Sequence, residues 1–384
     1  MPNVFSTRIA CRRANVLRLL CQTLLVLAVL MCSGPGRTAT PGVWGYVAWW
    51  MQDQWKSQPL AGFERLIFFQ IEVSASGDLD ARYGWPEQWT DLTRAAADHA
   101  VPLDLGLTLL DTAVFDAVFG SQASTERLLS AALALASQPG VSGLHLDVEV
   151  NGKTGASPDS IRRFRAFVVT LGQRLRQQAP QRSLSVFLGY DDYAAIFDAP
   201  TLNQVDHAVL QGYDAHYRES AQAGPVSPLA GEDQVTWEKM LAIADTLGLP
   251  RSRMRMGFPL YGYEWTVPSC LARGDTGGAG EPTTLMPMAP GLLPQVRANA
   301  RDRVVHHGAH MEAGTGSLYY RFVTTAGVCT VGWFEDSASL QLKSDWIARR
   351  QIGGIAFFPL GYDQGELLRI QLARWPRAIQ KVMR

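Results

Sequence analysis

A chain of 384 residues with 47% hydrophobic content can bury one large core or two ordinary ones. Lysine plus arginine equals aspartate plus glutamate at 35 each, with no basic run or stripe. That balance argues against a nucleic-acid binder and leaves a neutral catalytic or binding domain.

The chain opens with Arg8, Arg12, Arg13 and Arg18, followed by an apolar run over 19–31. The run is shorter than the roughly 20 residues of a membrane span and has the length of a signal-peptide core. Residues 1–36 therefore read as a signal peptide or N-terminal anchor. Gly34 and Gly36 satisfy the small-residue rule for cleavage, whereas Met31 before Cys32 does not suit a lipoprotein signal. The remainder is expected outside the cytoplasm, periplasmic or secreted, touching membrane only through this segment if it is kept. Cys11, Cys21 and Cys32 fall inside it, which leaves Cys270 and Cys329 as an expected disulfide in an oxidising compartment. No Cys-x-x-Cys or other metal-ligand spacing is present, so neither a metal site nor a cofactor is expected.

From residue 41 onward the pattern alternates strands and helices. Strands are predicted at 43–50, 65–71, 103–110, 141–150, 184–190, 205–213, 253–261 and 353–360. Helices are predicted at 86–100, 124–137, 157–178, 235–247, 339–350 and 365–381. Eight buried-type strands, most followed by a helix, predict an α/β fold, a (β/α)8 TIM barrel over 41–384. A doubly wound open sheet is the alternative, but no Gly-rich nucleotide loop follows the first strand. Residues 266–335 are too long for a plain loop and carry strand-like pieces at 316–324 and 328–334. They predict a small β-rich insertion between strand 7 and its helix, closed by Cys270 and Cys329, with Tyr319, Tyr320 and Phe322 either lining a cleft or, for about half of them, forming the insertion's own core.

The fourth strand holds the chemistry. In Val141-Ser142-Gly143-Leu144-His145-Leu146-Asp147-Val148-Glu149-Val150 the period of two puts His145, Asp147 and Glu149 on one face and Leu144, Leu146 and Val148 on the other. Asp147 and Glu149 should lie about 6–7 Å apart at Cα, from a rise of about 3.3 Å per residue. At that spacing one carboxylate raises the pKa of the other, leaving a protonated group able to act as a general acid. The same row also fits a purely structural carboxylate pair tying strands together. Aromatic side chains gather where strands end, at Trp49, Trp50, Tyr190, Tyr213 and Phe358, and flat rings suit the faces of sugars.

These segments resemble the family 18 glycoside hydrolases, the chitinases and endo-N-acetylglucosaminidases. The family's fourth-strand motif, Asp-Gly-x-Asp-x-Asp-x-Glu, is matched at Gly143, Asp147 and Glu149. Gln211-Gly212-Tyr213-Asp214 resembles the sixth-strand Met-x-Tyr-Asp, and Gly257-Phe258-Pro259-Leu260-Tyr261-Gly262 the seventh-strand segment. Asp336, Ser339, Leu340 and Lys343, then Gly353-Gly354-Ile355-Ala356-Phe357-Phe358, resemble the last two. The resemblance implies Glu149 as the acid and attack by the substrate's own N-acetyl carbonyl. It implies Asp147 as the group that orients that acetamide, and Tyr213 as its hydroxyl donor with Asp214 beside it. His145, Asp214, Trp49, Tyr46, Tyr261 and Phe358 form the expected substrate-binding set, with Phe358 under the reacting sugar.

Four departures stand out. Ser142 and His145 replace two aspartates, the third strand (Leu105-Gly106-Leu107-Thr108) lacks Ser-x-Gly-Gly, and Phe358 replaces a tryptophan. An imidazole at 145 can carry charge near neutral pH, and a cationic His145 would hold Asp147 ionised. The expected function is an exported hydrolase of an N-acetylglucosamine-containing glycan. The alternatives are a catalytically silent carbohydrate-binding relative and a lysozyme-like peptidoglycan hydrolase. The sequence does not determine oligomeric state.

Overall fold

The computed structural model describes residues 40–286 and 298–377. The export segment assigned to residues 1–36 and the middle of the insertion lie outside the described residues; the closing helix, predicted over 365–381, instead ends at Arg374, because Pro376 cannot continue it. Seven parallel strands come first: β1 (Gly42–Ala48), β2 (Arg65–Glu72), β3 (Leu103–Leu109), β4 (Gly143–Val148), β5 (Ser183–Leu188), β6 (His207–Leu210) and β7 (Met254–Pro259). Six further strands form the insertion: β8 (Tyr261–Thr266), β9 (Glu281–Thr284), β10 (Ala298–Asn299), β11 (His310–Met311), β12 (Leu318–Val323) and β13 (Cys329–Phe334). The last strand, β14 (Gly354–Phe358), lies between β7 and β1 and closes an eight-stranded barrel in the order β1-β14-β7-β6-β5-β4-β3-β2. This is the (β/α)8 architecture.

Its interior is layered by register, because inward residues of neighbouring parallel strands sit at matching heights. The lowest layer is charged. Arg65 pairs with Asp104, which also accepts from Ser183 Oγ at 3.1 Å. Arg255 donates to Glu64 at 2.9 Å, and Trp44 Nε1 donates to the same carboxylate at 2.9 Å. The Arg65 and Arg255 guanidinium groups lie 5.3 and 5.2 Å from the Trp44 ring centre. Gly143 is small for this reason: a Cβ there would come within 2.3 Å of Ser183 O and 2.8 Å of Asp104 Oδ1. Tyr46, Ile67, Val209 and Ala356 fill the layer above. The outward set, including Leu144, Leu146 and Val148, packs into the larger core shared with the helices. Among these is the helix Pro158–Gln178, started by Ser157, whose hydroxyl accepts from Ser160 N at 3.1 Å.

The insertion folds as one six-stranded sheet, β10-β9-β8-β13-β12-β11. It starts at Tyr261, earlier than the predicted 266, because the chain turns at Leu260 and continues directly into β8. Tyr320 is fully buried and donates to Glu264 at 2.9 Å, while Phe322 stacks on His307 at 4.5 Å and Tyr319 packs on Trp333 at 5.0 Å. Tyr320 therefore belongs to the insertion's own core, while Tyr319 and Phe322 are half-buried rings packed on its two faces. Cys270 and Cys329 are bonded, with Cα atoms 5.3 Å apart and a sequence separation of 59. Replacing both by serine is expected to lower stability to denaturant by about 3–4 kcal/mol, from the loop entropy released. An unchanged denaturation midpoint would show that the sheet does not need the bond.

Candidate active site

His145 and Asp147 point into the barrel from β4, and Glu149 follows one step beyond the strand end, its backbone N–H held by Leu109 O at 3.1 Å. His145 is fully buried. Its Nε2 lies 3.0 Å from the Tyr46 hydroxyl and its Nδ1 2.9 Å from Ser185 Oγ. Burial, reinforced by the Arg65 charge below, pulls its pKa down to about 3. The charge that an imidazole at 145 can carry is thus disfavoured in this fold, where burial and Arg65 both favour the neutral ring. Among the described residues, Asp147 gains no cationic partner. Burial first, and the charge of Glu149 second, push its carboxyl well above the usual range, and its Oδ1 is buried without a hydrogen-bond partner.

Glu149 is only partly buried, as a group that meets substrate must be. Loss of hydration, then repulsion from Asp214, raises it to about 7. Asp214, in the left-handed region at φ 59°, is raised to about 6 by burial, a rise moderated by the Tyr261 hydroxyl donating to Oδ1 at 2.7 Å. A carboxyl group that still keeps a substantial share of its proton at neutral pH, at the carboxyl ends of barrel strands, is placed for proton donation.

Around these acids stands a box of rings. Phe358 stacks on Tyr213 at 5.7 Å and 12°. It meets Tyr46, Phe69, Trp50 and Tyr261 edge-on at 5.4, 5.3, 6.2 and 6.4 Å. Gly257 makes room for Tyr213, since a Cβ there would lie 2.7 Å from the Tyr213 ring. The structure thus brings together Tyr46, His145, Asp147, Glu149, Tyr213, Asp214, Tyr261 and Phe358.

Trp49 is the exception. The chain leaves the extended state after Ala48 for a 3-10 turn over Trp49–Ser57, and Trp49 stacks face to face on Tyr83 at 4.0 Å. Trp50 takes the place next to Phe358 and donates to the Tyr362 hydroxyl at 3.2 Å. Strand alternation from Trp44 and Tyr46 already pointed to Trp50. Trp49 and Trp50 also line a cavity of about 630 Å³ beside the box, with Trp55, Tyr83 and Trp89. Tyr193, which the sequence reading did not single out, is raised to about 12 by burial and by the nearby Glu149.

Comparison with known families decides the assignment. The model of the glycosyl hydrolases family 18 matches residues 43–363. The chain belongs to that family. It is 27% identical to mouse chitotriosidase-1 over 285 residues, 68% of this chain and 58% of the relative's length. The chain therefore spans less than two thirds of that relative. Among solved structures, the Bacillus megaterium spore cortex-lytic enzyme SleL superposes with a TM-score of 0.68 at 20% identity, over 88% of this chain and 75% of that one. A chitinase-like agglutinin from Robinia pseudoacacia gives 0.72 at 14% identity, over 86% and 99%. These likenesses show that the family 18 barrel is shared.

Proposed function

We propose that this family 18 protein is an exported hydrolase of a glycan containing N-acetylglucosamine, with Glu149 as its general acid. The observation that carries the reading is the Glu149 carboxyl, raised to about 7 and set beside Asp147 within a ring-lined site. Glu149 gives its proton to the glycosidic oxygen as the bond breaks. The substrate's N-acetyl oxygen attacks the anomeric carbon, which retains configuration after water completes the reaction. Asp147, with an unpartnered Oδ1, accepts from the acetamide N–H and stabilises the positive charge that develops there. Tyr213 donates its hydroxyl to the acetamide oxygen, and Phe358 lies beneath the sugar face. Export is supported by the arginine-rich, then apolar, N-terminal sequence and by the Cys270–Cys329 bond.

The proton must be on Glu149 at the start of each turnover, so kcat/KM is expected to be high below about pH 7 and to fall tenfold per pH unit above it. A profile that climbs through pH 7 would remove Glu149 from the acid's role.

The reading as a whole is tested by reducing-end release from N-acetylglucosamine polymers and peptidoglycan, comparing wild type with Glu149→Gln. Turnover by the wild type alone supports it, and the responsive polymer identifies the substrate. One observation favours a second reading, a silent sugar binder: His145 stands where the family motif has an aspartate. Binding of a glycan by both proteins without turnover by either would support that reading.

A further inference from the structure

The layer beneath Asp147 contains no charge that reaches it directly, and its polar atoms form one chain. Ser185 Oγ, the two nitrogens of His145 and the Tyr46 hydroxyl are linked at 2.9 and 3.0 Å, with His145 and Ser185 entirely buried and Tyr46 nearly so. Both ends of the chain are hydroxyls, and each can donate or accept. Two arrangements are therefore available with the same protons, one on the ring and one on each hydroxyl. In the first, Nδ1–H donates to Ser185 and Nε2 accepts from Tyr46. In the second, Ser185 donates to Nδ1 and Nε2–H donates to the Tyr46 oxygen. Only the second frees the Tyr46 O–H from the ring.

We propose that His145 is a positioning residue that works by exchanging tautomers. When Asp147 is ionised, the ring proton sits on Nε2 and the Tyr46 O–H dipole turns toward the carboxylate. When Asp147 is protonated, the ring proton sits on Nδ1 and Tyr46 donates back to the ring. The imidazole answers the charge of Asp147 without taking a charge itself. The surroundings favour this over protonation. Arg65 on β2 opposes a cation at 145, and its partner Asp104 on β3 is already used in the ion pair below. On β6, His207 is also held neutral, by burial and by Arg255, with a pKa lowered to about 3. On β7, Arg255 is committed to Glu64. Above His145 the titrating groups are Asp147 on β4, Glu149 just beyond its end, and Tyr213 and Asp214 following β6. β14 contributes only Ala356 and Phe358 to the interior. Register sets Gly106 of β3 beside His145. Among the described residues, Asp147 Oδ1 and, beside it in register, Thr108 Oγ1 are buried without a hydrogen-bond partner, and of the two only the Asp147 carboxyl changes its demand for a hydrogen bond with pH.

The proposal concerns the site whose function is proposed above, but its test needs no substrate. Nitrogen-15 spectra of the full chain with labelled histidine separate the two neutral tautomers from each other and from imidazolium. The chain has seven histidines, and His145→Gln identifies the signals of this one. Between about pH 4 and pH 9, His145 is expected to stay uncharged and to pass from the Nδ1–H to the Nε2–H form as the Asp147–Glu149 pair ionises. Asp147→Asn is expected to abolish the passage, and Tyr46→Phe to leave one tautomer at every pH. A single tautomer throughout in the wild type, or an imidazolium signature near the ordinary histidine pKa, would overturn the proposal. Should the passage be seen in a protein that turns over no glycan, the hydrolase reading fails and the tautomer exchange stands.

Discussion

Glu149→Gln is expected to cost activity and add stability in the same molecule. Removing the proton donor should lower kcat by roughly 10²–10⁴-fold, the usual contribution of a positioned acid. The stability change has a definite sign. The carboxyl ionises at about 7 in the fold and near the ordinary glutamate value when unfolded, so the folded state disfavours the charged form. That penalty is absent below the unfolded pKa, grows as pH rises and is complete above about pH 7. Glutamine never incurs it. Chemical denaturation should therefore show the variant about 1–3 kcal/mol more stable than wild type at pH 8 and equal to it near pH 4. A variant that loses activity and is also less stable at pH 8 would mean that Glu149 is structural. The opposed outcome is what a group strained for function produces.

Lys343→Met is expected to be the most destabilising single change in the barrel wall. Lys343 and Glu335 form an ion pair with side chains 0% and 1% exposed, and Ser317 Oγ donates to the same carboxylate at 2.6 Å. Glu335 ends the insertion, Ser317 precedes β12 and Lys343 lies on the helix Ser337–Arg349, so the pair fastens the insertion to the barrel. The helix itself starts in a capping box between Asp336 and Ser339. Removing one partner leaves the other buried and unpaired, at about 3–5 kcal/mol. Lys343→Met combined with Glu335→Leu should recover most of that loss, because two apolar side chains leave no orphan charge. If the double variant is as unstable as the single one, the loss comes from packing and not from the stranded carboxylate.

The parts legible in the sequence are those set by period and by glycine. The inward row on β4 was readable because strand alternation admits no other placement of Asp147 once Leu144, Leu146 and Val148 face the helices. The (β/α)8 order followed from the spacing of eight apolar runs. What the sequence did not reveal depends on neighbours brought from elsewhere in the chain. His145 looked chargeable because its own strand offers two carboxylates. Its neutrality comes from complete burial and from Arg65, a residue 80 positions earlier on another strand. The helix Thr112–Gly120 was missed because its short β-branched and aromatic sequence lacks helical bias. Asp111 was the available signal, since its carboxylate caps Ala113 N at 2.7 Å and Val114 N at 3.0 Å. Tyr261 was read as the end of a barrel strand, yet the chain turns at Leu260 and that tyrosine begins the next sheet, from which it reaches Asp214.

In the proposed reaction Glu149 and Asp147 run a cleavage in which the substrate's acetamide attacks. The most direct measurement is the anomeric configuration of the first product, followed by proton NMR during hydrolysis of a β-linked N-acetylglucosamine oligomer. Attack by the acetamide followed by water reverses configuration twice, so the fresh reducing end should appear as the β anomer and only later equilibrate. Initial release of the α anomer would contradict the account, because it requires water to displace the leaving group directly.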